Sequence, residues 1–141
     1  MQACTGCGDC AAACGQDIIR RDGDGLAVID AHAGECVFCG DCVTACTTGA
    51  LVADGGWPWR AALGEGCLHQ QGITCRACED MCEPRAIRFR PQPGGRSLPQ
   101  LSQADCTGCM ACIGACPEGA ITLLAAPRPV APSPFQEANP C

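Results

Sequence analysis

Sixteen of the seventeen cysteines fall into four sets of four, and no other feature of the chain leaves so few ways to fold it. The sets are Cys4, Cys7, Cys10 and Cys14; Cys36, Cys39, Cys42 and Cys46; Cys67, Cys75, Cys78 and Cys82; and Cys106, Cys109, Cys112 and Cys116. Three are strict C-x2-C-x2-C-x3-C. The third keeps C-x2-C-x3-C but places seven residues, Leu68 to Thr74, between its first two members. Cysteines at successive three-residue steps let one tight loop present three thiolates to adjacent corners of a 4Fe-4S cubane, with backbone N–H groups turned toward its sulfides. Gly6, Gly8, Gly40, Gly108 and Ala111 permit that close wrap. The last cysteine stands one helical turn beyond the third, so it points away from its own loop and reaches the neighbouring cluster.

With the sets paired in sequence order, the expected ligand groups are Cys4, Cys7, Cys10 with Cys46; Cys36, Cys39, Cys42 with Cys14; Cys67, Cys75, Cys78 with Cys116; and Cys106, Cys109, Cys112 with Cys82. The same sixteen cysteines thus bind metal through iron, in up to four 4Fe-4S clusters. Some four-cluster proteins pair first with fourth and second with third, and the cysteine spacing alone leaves that alternative open. Structural zinc usually takes two C-x2-4-C knuckles separated by a longer spacer, a pattern that a repeated triple step fits poorly.

Composition agrees with a metal-organised chain. Within 141 residues there are 3 Phe, 2 Trp and no Tyr, so large apolar side chains are scarce and a conventional core would be marginal. An odd cysteine total and the lack of a secretory signal argue against an extracellular disulfide framework. No stretch approaches the roughly 18 apolar residues of a membrane span, and the chain reads as a soluble, cytoplasmic protein. The Arg20-Arg21 pair follows the first cysteine set and precedes no apolar run, which removes it as an export signal. A formal net charge of −6 excludes the basic patch that nucleic acid requires. Bound clusters add further negative charge, so basic partner surfaces are favoured.

The repeat extends past the cysteines. Ile18-Ile19, Ala50-Leu51, Ala86-Ile87 and Ala120-Ile121 follow the last cysteine of each set at the same distance, so each set is expected to feed a short apolar strand. Ile18 to Arg21 and Leu26 to Asp30 flank Asp22-Gly23-Asp24-Gly25, a hairpin signature. Ala86 to Arg90 and Leu98 to Leu101 flank a longer Pro/Gly-rich connection. The expected fold is α+β: two tandem modules of the bacterial two-cluster ferredoxin kind, with short hairpins and helices. Residues 1–56 carry sets one and two, 57–124 carry sets three and four, and 125–141 form a Pro-rich flexible tail.

Other residues invite weaker readings. His69, inside the third-set insertion, reads as a polar loop residue because Cys67 is already available, and His32 reads as solvated. Trp57 and Trp59, at the junction around Gly55-Gly56-Trp57-Pro58-Trp59, are expected to pack over the inner clusters. Cys141 belongs to no set and reads as a free thiol. The chain has no phosphate loop, nucleotide fingerprint or Ser/His/Asp grouping, and cysteine fills every cluster position. Electron transfer is therefore expected rather than catalysis.

The stretch from Cys67 to Pro91, with its seven-residue gap followed by C-x2-C-x3-C-E-P-x-A-I-x-F-R-P, closely resembles the NapF-type ferredoxins of periplasmic nitrate reductase systems. With the other sets the resemblance covers nearly all of residues 4–124. It implies a cytoplasmic accessory protein, not an enzyme, that meets the precursor of the molybdenum-containing catalytic subunit (NapA-type) before export and supports its maturation. Redox partner proteins are implied as well. A general polyferredoxin carrying electrons between redox enzymes is the competing reading, and a permanently docked electron-wire subunit a third. Family members carry a basic segment before the first cysteine, whereas Cys4 here follows almost directly on Met1. The strand expected before the first set is missing, which points to a shortened chain or a misplaced start.

Overall fold

The computed structural model describes residues 4–53 and 57–125. Gly55, Gly56 and the proline-rich stretch from 126 onward, with Cys141, lie outside the described residues. The chain divides into two compact units between Trp57 and Pro58. The first contains α1 (Asp9–Ala13), β1 (Ile19–Arg21), β2 (Ala27–Ile29) and α2 (Asp41–Thr44). The second contains β3 (Trp59–Leu63), α3 (Ala77–Asp80), β4 (Ile87–Pro91), β5 (Ser97–Leu101), α4 (Ala111–Ala115) and β6 (Ile121–Ala125). None of the described helices is long and apolar enough to cross a membrane.

Each helix is a single turn carrying the third cysteine of a set, too short to persist without tertiary support. Within the first unit α1 packs on α2, and within the second α3 packs on α4. The antiparallel hairpin β1–β2 keeps Ile19 opposite Ile29 and Arg21 opposite Ala27. Its turn is tied by Asp22, whose Oδ1 accepts N–H donations from Asp24 (3.0 Å) and Leu26 (2.8 Å). In the second unit β4–β5 is the corresponding hairpin, with Phe89 opposite Pro99. Proline is tolerated there because, in a two-stranded sheet, every strand is an edge.

Cysteine spacing does not announce β3. This strand precedes the third set and pairs antiparallel with β6, so Leu63 faces Ile121 and Trp59 faces Ala125. It is also bound to the fourth set: the Ala61 N–H points at Cys106 Sγ (3.5 Å), and the Gln103 amide donates to the Ala61 carbonyl (3.0 Å). The strand expected at Ala50-Leu51 does not form among the described residues. Its counterpart β6 is held by β3, supplied by the stretch ahead of the third set. Among the described residues no strand pairs with the Ala50-Leu51 stretch. Leu51 instead turns its N–H onto Cys46 Sγ (3.4 Å).

Burial is unequal between the units. Ile87, Phe89, Met110, Ile113 and Ile121 are buried in the second unit, whereas in the first only Cys10 and Ile18 are, among the described residues. A fully buried large aliphatic or aromatic side chain contributes about 1.5–3 kcal/mol, while ordering each residue's backbone costs about 1–2 kcal/mol. One isoleucine cannot offset the ordering of the first unit. We therefore expect chelation of the metal to abolish amide protection in β1–β2 while β3–β6 and β4–β5 retain measurable protection, which hydrogen exchange read by mass spectrometry will resolve.

Candidate iron-sulfur sites

The loops that carry the cysteines repeat a backbone pattern. In the first set Gly6 and Gly8 are left-handed, in the second Phe38 and Gly40, and in the fourth Gly108 and Met110. Two left-handed residues between three cysteines coil the chain so that successive N–H groups line the concave side, the form of an anion-binding nest. A second recurrence lies three residues past each last cysteine, where Asp17, Gly49, Arg85 and Gly119 all have positive φ. Each donates its N–H to that cysteine's carbonyl, at 2.9–3.2 Å. Met110 is the costly member: a non-glycine residue at φ +78 and 1% exposed, held left-handed by the packing of its buried side chain.

The third set departs from this pattern. Arg76 takes φ −131 at the position where the other sets have a left-handed residue. Its seven-residue insertion is anchored instead through side chains: His69 Nε2 lies 2.7 Å from Ser97 Oγ, and its ring meets Phe89 edge-on at 4.6 Å. Arg76 covers the same phenylalanine at 5.3 Å and pairs with Glu79 at 3.3 Å, and the Glu79 carboxylate accepts the Phe89 N–H at 3.1 Å. His69 is thus a clamp between the insertion and the hairpin. In the first unit Trp57 packs edge-on against Phe38, 5.8 Å away, on the loop between Cys36 and Cys39.

Around several thiols the structure places cysteines of two different sets. Cys46 lines a cavity of about 110 Å³ with Cys4, Cys7 and Cys10. Cys82 lines a tighter space of about 20 Å³ with Cys106, Cys109 and Cys112. Cys14 stands with Cys36 and Cys39 close enough to act on the Cys42 thiol, which burial chiefly, and then these neighbours, push up. Cys116 and Cys67 likewise act with Cys75 on Cys78, pushed up to about 11 with burial as the first cause. Cys112 is pushed up to about 12, by burial and then by Cys109, Cys106 and Cys82. Cys46 moves the other way, lowered by the Leu51 N–H and then the Thr48 hydroxyl, which lies 3.5 Å from its sulfur.

These donors fit a polynuclear iron-sulfur group. Among the described residues no three Cys, His, Asp or Glu side chains converge to hold a single metal ion, as a zinc knuckle would require. The thiols instead line open spaces, and on ionising to bind they would repel one another unless iron among them offsets their charge. The comparisons bear on the same point. A family model described as a 4Fe-4S dicluster domain matches residues 3–50 and again 73–120. The ferredoxin-type protein NapF of Escherichia coli K12 is 39% identical over 121 residues, covering 84% of this chain and 74% of that protein. NapF of Haemophilus influenzae is 40% identical over 122 residues, covering 85% of this chain and 69% of its own.

The chain belongs to the NapF family of ferredoxin-type proteins. It is a tandem of two 4Fe-4S dicluster domains with capacity for up to four clusters. Like other ferredoxin-type chains, a NapF-family protein does its chemistry with one-electron iron-sulfur groups. Sequence reasoning missed two groups at the first site. Thr48 carries no motif, and Arg21, which lines the cavity, was weighed only as half of an export signal. The recoverable signal for Arg21 was its place at the end of a hairpin strand opposite the glycine-rich cysteine loop.

Because the buried Cys78 and Cys112 thiols titrate above their ordinary value of 9.0, their neutral forms favour the metal-free folded state. That contribution is complete below about pH 9 and is lost as pH rises through about 11 and 12. The denaturation midpoint of the metal-free second unit should therefore be level up to about pH 9 and fall above it, as a pH series of denaturant melts will read.

Proposed function

We propose that this chain is a cytoplasmic redox and maturation factor for the catalytic subunit of a periplasmic nitrate reductase, acting on the precursor before export. In this reading residues 1–56 and 57–124 are its two working modules. Each cluster is held by three cysteines of one set and the last of its partner: Cys4, Cys7, Cys10 and Cys46; Cys36, Cys39, Cys42 and Cys14; Cys67, Cys75, Cys78 and Cys116; Cys106, Cys109, Cys112 and Cys82. The observation that carries it is that every group contains four thiols. No coordination position is left for a substrate, so the bound groups supply one-electron transfer and the protein itself performs no bond chemistry.

The polypeptide's part is to hold, shield and tune. Backbone N–H groups are directed at ligand sulfurs from Leu51, Ala61 and Ala120, the last donating to Cys116 Sγ at 3.3 Å. Such donors stabilise the more negative reduced state and raise its potential. A general electron carrier would use the same geometry. The nitrate reductase reading rests on the kinship with NapF proteins and on the third-set insertion with its C-x2-C-x3-C-E-P continuation.

The crossed ligand sets have a direct genetic test. Replacing Cys46 by Ser should abolish the same EPR signal as replacing Cys4, not the one lost on replacing Cys39; a self-contained first set would give the opposite pairing. For the maturation role, the catalytic precursor is expected to co-purify with the tagged holoprotein from anaerobic cytoplasm. A clean blank there, together with normal nitrate reduction in a deletion strain, favours the general carrier.

A further inference from the structure

Apart from His32, Arg20 and Arg21 are the only basic residues between positions 4 and 53, a stretch otherwise rich in aspartate, and both line the cavity walled by Cys4, Cys7, Cys10 and Cys46. Arg20 lies 3.9 Å from Asp30, which offsets its charge. Arg21 makes no ion pair among the described residues; its guanidinium donates to the Cys7 carbonyl at 2.6 Å. The exposed Arg21 side chain lies over the bare Cα of Gly8, which has φ +88, and being flexible it would move aside for a Cβ there. A Cβ at Gly6 would lie 2.6 Å from the Gly25 carbonyl oxygen, so the cysteine loop and the hairpin close on each other only where side chains are absent.

Cations near the other groups are balanced by carboxylates among the described residues: Arg85 and Arg88 line a cavity with Cys82, but Glu79, Asp80 and Glu83 line it with them. The lining of the Cys106, Cys109, Cys112 and Cys82 space includes no charged residue, and Cys106 and Cys112 are buried, whereas Cys4 and Cys7 are exposed. Around the third set Arg76 is neutralised by Glu79. The second set is flanked in sequence by Glu35 and Asp41. Thr48 adds a further difference: once Cys46 binds iron as thiolate it offers no proton, so the hydroxyl 3.5 Å away becomes the donor.

We propose that Arg21, seconded by Thr48, makes the cluster held by Cys4, Cys7, Cys10 and Cys46 the most easily reduced of the four. Reduction adds one electron and one negative charge to that group. An exposed guanidinium tied to the Cys7 carbonyl and a hydroxyl donor on the ligand sulfur stabilise the charge, and the exposure of Cys4 and Cys7 acts in the same direction. The inference deepens the ligand assignment made above and rests on it. In a carrier with several clusters, the electron at equilibrium resides at the most easily reduced one, which here lies at the surface of the first unit, within reach of a redox partner.

The test is an EPR-monitored redox titration of the full chain, reconstituted anaerobically with mediators and dithionite as reductant. Arg21→Gln is expected to shift the first spin that appears to lower potential and to leave the later ones in place. Arg21→Lys should restore most of the shift, and Thr48→Val should move the same spin the same way by a smaller amount. An unmoved first spin in Arg21→Gln, movement of a later spin instead, or Arg21→Lys behaving as Arg21→Gln each overturns the proposal. Should Arg21→Gln fail to load one cluster, its titration must lack the first-appearing spin, and loss of a later one overturns the idea equally. Iron content of a Cys4→Ala chain separates the two levels of argument: loss of about four irons sustains the ligand assignment whatever Arg21 does, and full retention removes it.

Discussion

The reach of the last cysteine in each set governs how the rest of the chain is arranged. Standing one helical turn past the third cysteine, it cannot wrap the space that its own loop encloses, and it closes the space formed by the partner set instead. Cys46 joins Cys4, Cys7 and Cys10, while Cys14 stands among Cys36, Cys39 and Cys42. This exchange ties the two ends of a unit of about fifty residues at two points. It does so where single-turn helices and two-stranded hairpins would not persist alone. The hairpins follow from the exchange, since chain leaving one set must turn back within a few residues to deliver the next.

How much of this could be read in the sequence depends on whether a feature is set locally. The hairpins β1–β2 and β4–β5 were legible because Asp22-Gly23-Asp24-Gly25 and the Pro/Gly connection punctuate apolar runs, and each observed strand lies within a residue of the expected span. The three-residue step and the helical turn suggest that the last cysteine leaves its own loop, while the choice of partner set is inferred from the hairpins, the spacing alone leaving another pairing open. Ala50-Leu51 has the same local composition as the other post-cysteine strands but no partner strand among the described residues, and strand identity is a property of the pair. Met110 was illegible for a related reason: nothing in a Cys-Met-Ala-Cys string says that the methionine must adopt a left-handed backbone. Only the burial of its side chain reveals what compensates the strain. Arg21 is also a tertiary fact, for its function depends on a loop fourteen residues away.

The two units solve the same coordination problem with different resources. In the second, Ile87, Phe89, Ile113 and Ile121 form an apolar frame, and the insertion is locked to it through His69, Phe89 and Ser97. Three of its cysteines, Cys78, Cys106 and Cys112, are buried, and burial is the first cause of the upward push on Cys78 and Cys112. Preorganisation of this kind lowers the entropy lost on binding metal but raises the work of removing protons. The first unit makes the opposite compromise. Little is buried, and although burial raises Cys42, Cys46 is lowered by hydrogen bonds, so order there is expected to depend more on bound metal.

That difference extends to electrostatics. Six of the nine arginines lie between Pro58 and Ala125, spread over strands and loops of the second unit, while the first concentrates its two at one thiol-lined cavity. Of these two, Arg20 is offset by Asp30, so Arg21 is the cation left facing the cavity, and because it is exposed its effect is screened by solvent and salt. Gly6 lets the cysteine loop close on the hairpin, because a Cβ there would lie 2.6 Å from the Gly25 carbonyl oxygen. In the proposal made above, that backbone packing is what joins the arginine-ended strand to the thiol-lined cavity.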